Sequence, residues 1–305
     1  MSVLEGGGAA AESGAGAARG AGAAEPLASR LLGNGRTTVL LTEAGTGFTR
    51  WGDLWLTPWG DDPVEDPDGF FVYLRERGPD RPLFSAGAAP CGLPIDVRYQ
   101  RPIWGEESFG TARSEHGLEI VWEGCVPPKP DLDLRRLVLR NRTRRRRVIE
   151  ATSCIEIVLA PLSAFRAHPV FSKLFVQTWA VPKSGALLAR RRPRSSDEAT
   201  PWLAHAVIDG PMEGYETDRA HFFGRGGTRV RPRALVANAR AGLSGTTGNV
   251  LDPLFSIRTT VELGPGESKR IVWALGAGED REELLGRFEA MKRPGAVEKA
   301  FGIVP

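Results

Sequence analysis

Residues 148–160 read VIEATSCIEIVLA, and their alternation decides the fold class. Every second residue is apolar or small, and these residues, which include Ile149, Ala151, Ile155, Ile157 and Leu159, would share one face of a strand. Glu150, Thr152 and Glu156 fall on the other face. Because side chains alternate across an extended strand, this pattern predicts a β-strand with one buried and one solvent-facing side.

The same period recurs on both sides of this segment. In residues 117–126, GLEIVWEGCV, one face carries Leu118, Ile120, Trp122 and Val126, and the other carries Glu119 and Glu123. Residues 256–276, SIRTTVELGPGESKRIVWALG, predict two strands joined by a Gly-Pro-Gly turn, with Ile257, Val261 and Leu263 facing alike.

Residues 279–302 carry the one convincing helical pattern, with an apolar stripe of Leu284, Leu285, Phe288 and Met291 behind acidic residues that suit a helix N-terminus. Pro294 interrupts the pattern. Many strands and one late helix predict an all-β fold, a large antiparallel sandwich of two packed sheets with a short C-terminal helix.

Three regions are distinguished by composition. Residues 1–30 are rich in Ala and Gly and offer little apolar surface to offset ordering entropy, which predicts a flexible leader. We assign residues 31–278 to the sandwich and residues 279–305 to a C-terminal helical segment.

Composition and charge exclude several classes of protein. The 305 residues are 41% hydrophobic, and 40 Lys and Arg against 37 Asp and Glu leave a net charge of +3, too balanced for a dedicated nucleic-acid binder. No stretch approaches the roughly 18 apolar residues that span a bilayer, and the start lacks a signal-peptide core. Three widely spaced cysteines form no CxxC pair. We therefore expect a cytoplasmic protein without a membrane span.

A row of tryptophans is the strongest candidate for a binding site. Trp51, Trp55 and Trp59 are all odd-numbered, so an extended backbone would place them with Asp53 and Thr57 on one face. Indole faces stack on the C–H faces of sugars, while a carboxylate and a hydroxyl bind sugar hydroxyls. The alternative is that the tryptophans fill the core between the sheets.

Other charged groups favour structural roles. The acidic stretch GDDPVEDPDG, residues 60–69, does not match an EF-hand and fits a solvated turn better than a metal site. The arginine run at 140–147 lies between two alternating segments, which predicts a solvated hairpin connection. The four histidines show no zinc-binding spacing. No nucleophile elbow, P-loop or dinucleotide motif is present, so the sequence indicates no catalytic residue, no cofactor and no metal.

Several ordered blocks together resemble a known family. They are LLGNGRTTVLLTEAGTGFTRWGDLWLTPWGDDP (31–63), FFVYLRER (70–77), LRRLVLRN (134–141), AHPVFSKLF (167–175), LLARRRPRS (187–195), YETDRAHFFGRG (215–226) and LSGTTGNVLDPLFSIR (243–258). They resemble the β-supersandwich domain of family 94 glycoside phosphorylases, and most closely the phosphorylase-like region of cyclic β-1,2-glucan synthases.

The resemblance implies a galactose mutarotase-like supersandwich that normally precedes an (α/α)6 barrel, which supplies the general acid. Since the sequence ends at Pro305, we expect the catalytic residues to lie outside it. The sequence departs from the family in the loop AGTGFTRW, where it has Thr46 and Phe48, and at Trp55, where the family often has a small residue.

Three functional hypotheses follow from these observations. The first is a non-catalytic module that binds a β-glucan oligosaccharide, or docks a barrel on another chain. For sugar stacking and hydroxyl bonding it uses Arg50, Trp51, Asp53, Trp55, Trp59 and His168. The second is a piece of a split phosphorylase or glycosyltransferase that is active only with a separate barrel. The third is a structural remnant that self-associates through an exposed sheet face.

Overall fold

Two antiparallel sheets dominate the part of the chain that the computed structural model describes, which comprises residues 27–60, 67–78, 81–92, 100–193, 200–236 and 242–303. Strands and helices are numbered in chain order. In spatial order the larger sheet contains β12 (Val176–Val181), β13 (Ala186–Arg191), β14 (Trp202–Asp209), β17 (Ser268–Gly278), β10 (Asp133–Asn141), β9 (Leu118–Cys125), β8 (Ser108–Glu115) and β7 (Gln100–Trp104). The second sheet contains β15 (Gly214–Asp218), β16 (Pro253–Leu263), β11 (Arg147–Glu156), β5 (Phe71–Glu76) and β6 (Leu83–Ser85).

A third, four-stranded sheet and several short helices complete the described fold. The third sheet runs through β1 (Ser29–Gly33), β2 (Thr37–Thr42), β3 (Gly47–Trp51) and β4 (Leu54–Trp55). The helices are α1 (Leu162–Ala167), α2 (Pro169–Lys173), α3 (Arg219–Phe223), α4 (Arg233–Val236), α5 (Arg281–Met291) and α6 (Ala296–Ala300), with a 3-10 turn at Pro182–Ser184. Within the described ranges, no helix has both the length and the apolar character needed to cross a membrane.

The main core lies between the two larger sheets and uses the faces that the alternation predicts. Ile149, Ala151 and Ile155 of β11 are fully buried, and Leu118 and Ile120 of β9 meet them from the opposite sheet. Burial of these apolar faces is the main contribution to stability. The predicted all-β antiparallel sandwich is confirmed, and the separate four-stranded sheet is the feature that the sequence did not reveal.

The C-terminal helical pattern is also confirmed. Leu284, Leu285, Phe288 and Met291 of α5 are buried against the outer face of the larger sheet. The side chain of Asp280 accepts a hydrogen bond from the backbone N–H of Glu283 at 2.8 Å, which caps the helix N-terminus.

The outer face of the larger sheet, which the sequence predicts to be solvent-facing at Glu123, is partly buried. Glu123 of β9 is buried, and its carboxylate accepts a hydrogen bond from Nε of Arg136 at 2.9 Å. The guanidinium of Arg136 lies 4.4 Å from the ring centre of Phe301, so the C-terminal segment covers the ion pair.

Two predicted local connections are instead crossings between sheets. The hairpin predicted around residues 140–147 is wrong, since β10 belongs to the larger sheet and β11 to the second one. The Gly-Pro-Gly turn likewise joins β16 to β17, which lie in different sheets. The side chain of Asn141 contacts both the β10–β11 and the β16–β17 connection. Its Nδ2 donates to the carbonyl oxygens of Arg145 (2.7 Å), Leu263 (3.1 Å) and Gly264 (3.0 Å).

Several side chains of the arginine run pair with carboxylates, and one of them is buried rather than solvated. Arg147 is buried and its Nη2 lies 3.1 Å from Oε2 of Glu76, while Nη2 of Arg145 donates to the same oxygen at 2.8 Å. Arg146 pairs with Glu262 at the surface. Since Arg145 and Arg147 share the single carboxylate of Glu76, these pairs cancel only part of the positive charge.

The predicted region boundaries are only partly covered by the described residues. Of the leader predicted for residues 1–30, residues 1–26 lie outside the described ranges, and Ser29 and Arg30 already belong to β1. Of the acidic residues predicted to form a solvated turn at 60–69, those at 61–66 also lie outside them, and Asp68 is buried rather than solvated. The C-terminal segment from 279 packs on the larger sheet through α5 and α6.

Candidate functional site

The tryptophan segment forms a hairpin rather than one extended strand. Strands β3 and β4 pair with Arg50 opposite Trp55 and Trp51 opposite Leu54, which leaves Gly52 and Asp53 as a two-residue turn. Gly52 has φ of +56°, a value that glycine adopts without strain at the first central position of such a turn. The prediction that the odd-numbered residues share one face is therefore wrong.

The hairpin separates Trp51 from the other tryptophans. Trp51 is 7% exposed and packs in the main core, with the guanidinium of Arg36 4.2 Å from its ring centre. Thr57 is buried as well, and its hydroxyl accepts the backbone N–H of Thr49 at 2.9 Å. For Trp51 the core-packing alternative is the one the geometry supports.

Phe48, Trp55 and Trp59 form a half-buried group that we call the aromatic platform. The ring centres of Phe48 and Trp55 are 4.4 Å apart, and those of Phe48 and Trp59 are 5.9 Å apart. Arg50 lies two residues after Phe48 on the same face of β3 and is exposed. Phe48, which the sequence identified only as a family departure, is the residue that joins the two tryptophans.

The remaining predicted residues, Asp53 and His168, do not belong to this group. Asp53 is exposed in the hairpin turn. His168 is exposed between α1 and α2, in the segment that follows Ala160. The backbone of Ala160 pairs with that of Trp55, with N–H···O distances of 3.0 and 3.3 Å, and this pairing fixes the position of β4.

A small charged recess, with room for about one water molecule, lies at Pro58, next to Trp59 in the sequence. Pro58, which precedes Trp59, lines it together with Asp68, Glu156 and Arg229. Nη2 of Arg229 lies 2.6 Å from Oε1 of Glu156 and 3.8 Å from Oδ1 of Asp68. The recess therefore brings one guanidinium and two carboxylates together at the residue before Trp59.

Further charges hold Glu156 in place. Nε of Arg219 lies 3.2 Å and Nζ of Lys173 lies 3.6 Å from Oε2 of Glu156. Asp252 binds the same Lys173 at 2.7 Å and pairs with Arg219 at 3.4 Å. Four separate segments of the chain contribute to this network, and no local sequence pattern indicates it.

The two carboxyl groups of the recess differ in acidity. Burial raises the pKa of Asp68, and the nearby Glu156 raises it further. Burial also opposes ionisation of Glu156, but Arg229, Lys173 and Arg219 together lower its pKa. The recess thus holds a firmly ionised hydrogen-bond acceptor beside a carboxyl group that accepts a proton more readily.

Comparison with known proteins defines the class of the domain. The family model for the glycosyl hydrolase 94 supersandwich domain matches residues 24–294. The chain therefore belongs to this family, which confirms the resemblance seen in the sequence.

One curated relative is a cyclic β-(1,2)-glucan synthase, NdvB of Rhizobium meliloti (strain 1021). It is 33% identical over 268 residues, which make up 87% of this chain and 9% of that protein. The chain thus spans less than a tenth of the length of the relative it matches.

Two solved structures of low sequence identity also align with most of this chain, both with TM-scores below 0.5. A bacterial glucoamylase complexed with acarbose aligns with a TM-score of 0.48 and 6% identity, over 88% of this chain and 36% of that one. A putative aldose 1-epimerase of Escherichia coli K12 aligns with a TM-score of 0.42 and 11% identity, over 83% of this chain and 99% of that one.

Proposed function

We propose that this chain is a non-catalytic module of a β-glucan synthase or glycoside phosphorylase that binds a β-glucan oligosaccharide. The observation that carries the proposal is the aromatic platform of Phe48, Trp55 and Trp59, which remains partly exposed beside Arg50. Indole faces stack on pyranose C–H groups, and a guanidinium donates to sugar hydroxyls.

The adjoining recess supplies the polar half of the proposed site. Glu156 and Asp68 accept hydrogen bonds from hydroxyls, and Arg229 holds both carboxyl groups at the recess wall. An apolar surface with a few fixed polar groups is the usual composition of a ligand site. In this proposal the platform binds successive sugar rings and the recess binds the hydroxyls of a ring that reaches Pro58.

A tryptophan fluorescence titration with β-1,2-gluco-oligosaccharides tests this function. We expect a saturable change in the native chain, and an affinity about tenfold weaker after Trp55→Ala or Trp59→Ala, equivalent to about 1.4 kcal/mol. Trp104→Ala is the matched control, because Trp104 is 59% exposed and lies on β7 in the larger sheet. Equal binding by all three variants would contradict the proposal.

A second candidate function is that of a scaffold in a split glycosyltransferase or phosphorylase, active only with a separate (α/α)6 barrel. Exposed apolar side chains at α2 favour it, namely Val170, Phe171 and Leu174. The exposed Leu251 adds to them, since the next residue, Asp252, binds Lys173 of α2. Mixing the chain with a separately produced barrel domain tests this alternative. Restored phosphorolysis that is lost in Val170→Asp/Phe171→Asp would support it, and a barrel equally active alone would contradict it.

The cytoplasm is the proposed location of this region. Cys91, Cys125 and Cys154 are all free, and the last two are buried. Unpaired thiols are typical of a reducing compartment. Burial raises the pKa of the Cys91 thiol to about 11, so it carries little thiolate at neutral pH.

A further inference from the structure

Two indoles meet on the outer face of the larger sheet, on a different sheet from the aromatic platform. Trp179 of β12 and Trp202 of β14 have ring centres 5.2 Å apart, with their planes inclined by 56°. These strands are separated by β13, and two strand spacings amount to about 10 Å. Both indoles therefore lean toward each other above β13.

The pair is supported from below and open above. Leu188 of β13 lies opposite Trp179 and Ala204 and is fully buried, and Trp202 packs against the core cluster that contains Leu188. Helix α5 packs on β14 and β17, and just after its end Nζ of Lys292 donates to the carbonyl oxygen of Ser184, between β12 and β13, at 2.9 Å. Trp179 remains 38% exposed, so the pair presents aromatic surface to solvent.

Polar groups held in fixed positions border the indoles. The guanidinium of Arg190 lies 5.1 Å from the ring centre of Trp202, and its Nε donates to the carbonyl oxygen and to Oγ1 of Thr200 at 2.9 and 3.0 Å. Gln177 stands opposite Arg190 in register, and its Nε2 donates to Oδ1 of Asn249 at 2.7 Å. Among the described residues, these bonds use neither the Nη groups of Arg190 nor Oε1 of Gln177. The Nη groups can therefore donate to, and Oε1 can accept from, the hydroxyls of a ligand.

We propose that Trp179, Trp202, Arg190 and Gln177 form a second binding site for an oligosaccharide, separate from the aromatic platform. An apolar ring surface bordered by a fixed donor and a fixed acceptor matches a pyranose, which has C–H faces and an equator of hydroxyls. Two sites on one module increase retention on a polymeric glucan through effective concentration.

The inclination of the rings sets a preference for the shape of the sugar chain. Planes that differ by 56° cannot both stack on successive rings of a flat ribbon. They fit a chain whose neighbouring rings are turned relative to each other. We therefore expect β-1,2-linked gluco-oligosaccharides to bind more tightly than flat β-1,4-linked ones.

Isothermal titration calorimetry in a platform-deficient background tests the second site. The starting protein is the full chain with Trp55→Ala and Trp59→Ala, titrated with a β-1,2-linked glucohexaose. We expect residual binding near one equivalent, weakened at least tenfold by a further Trp179→Ala, and kept within about threefold by Trp179→Phe because the ring is retained. Gln177→Ala, which leaves the aromatic rings in place, should weaken it about threefold.

Each outcome bears on the two sites separately. No residual heat up to millimolar sugar, or residual binding that Trp179→Ala leaves unchanged, would overturn the second site while leaving the platform proposal intact. Wild-type binding that resists loss of Trp55 and Trp59 but is lost with Trp179→Ala would contradict the platform and support this site. Dimerisation that Trp179→Ala abolishes, without sugar binding, would overturn it in favour of a protein contact.

Discussion

Ser153 and His205 join the two larger sheets by a hydrogen bond of 2.8 Å between Oγ and Nε2, and both residues are completely buried. Nδ1 of His205 lies 3.0 Å from the carbonyl oxygen of Ala274, which only accepts, so Nδ1 carries the proton. Nε2 then accepts from the Ser153 hydroxyl, whose oxygen accepts the N–H of Ile257 at 2.9 Å. His205 is therefore a neutral structural histidine.

This arrangement predicts a loss of stability in mild acid. Burial lowers the pKa of His205 from 6.5 to about 3, although the Ala274 carbonyl opposes the shift. The unfolded chain thus binds a proton below about pH 6.5 that the folded chain excludes, so the free energy of unfolding falls as the pH falls from 6.5 toward 3. By pH 5 this group alone should reduce it by about 2 kcal/mol.

Urea unfolding at pH 7 and pH 5 measures this effect. His205→Gln should lose stability at pH 7 yet show a smaller difference between the two pH values. His168→Gln is the matched control, since His168 is exposed, and should keep the native difference. A His205→Gln variant with the same pH dependence as the native chain would show that His205 is not the titrating group.

Glu76 is predicted to neutralise a buried charge. Arg147 is 2% exposed, and its Nη2 lies 3.1 Å from Glu76. The pKa of Glu76 is lowered to about 2, chiefly by the hydrogen bond from Arg145 and despite its own burial. Its stabilising effect is therefore present above pH 4.5 and is lost as the pH falls toward 2.

Glu76→Gln should lower the free energy of unfolding by about 3 kcal/mol, because the buried guanidinium of Arg147 loses its counter-ion. Glu262→Gln is the matched control, since that carboxylate is 53% exposed and pairs with the exposed Arg146; it should change the free energy of unfolding by less than about 1 kcal/mol. Denaturant titration of both variants decides the matter, and equal losses would refute a special role for Glu76.

Two glycines should respond oppositely to alanine. Gly286 lies on the exposed side of α5, where a Cβ would meet no atom within 4 Å, so Gly286→Ala should stabilise the chain by about 0.5–1 kcal/mol. Gly47 has φ of +142°, and a Cβ there would lie 1.9 Å from the carbonyl oxygen of Leu40. Gly47→Ala should lower the melting temperature and Gly286→Ala should raise it; the reverse order would contradict the backbone assignment.

The sequence predicts where the strands lie along the chain better than it predicts which strands pair in a sheet. Alternation identifies β9, β11, β16 and β17, because each has one face in a core. It does not show that β10 and β11 belong to different sheets, since a short connection suits a hairpin and a crossing equally. The side chain of Asn141 also joins this connection to Leu263 and Gly264, more than a hundred positions away, and no local pattern indicates such a contact.

The candidate site was only partly predictable for the same reason. The alternation of side chains along an extended strand predicted that Trp51 and Trp55 share one face. The turn at Gly52 instead reverses the chain between them. The charged recess joins Asp68, Glu156 and Arg229, which are far apart in sequence and belong to no common motif. Trp179 and Trp202 come together only because both flank β13.

The indole N–H signals of the eight tryptophans provide the most direct test of carbohydrate binding. In a ¹⁵N-labelled chain titrated with β-1,2-gluco-oligosaccharide, with signals assigned by Trp→Phe variants, we expect those of Trp55 and Trp59 to shift in a saturable manner. Those of the buried Trp122 and Trp273 should stay in place. Unchanged Trp55 and Trp59 signals at millimolar sugar would contradict the account.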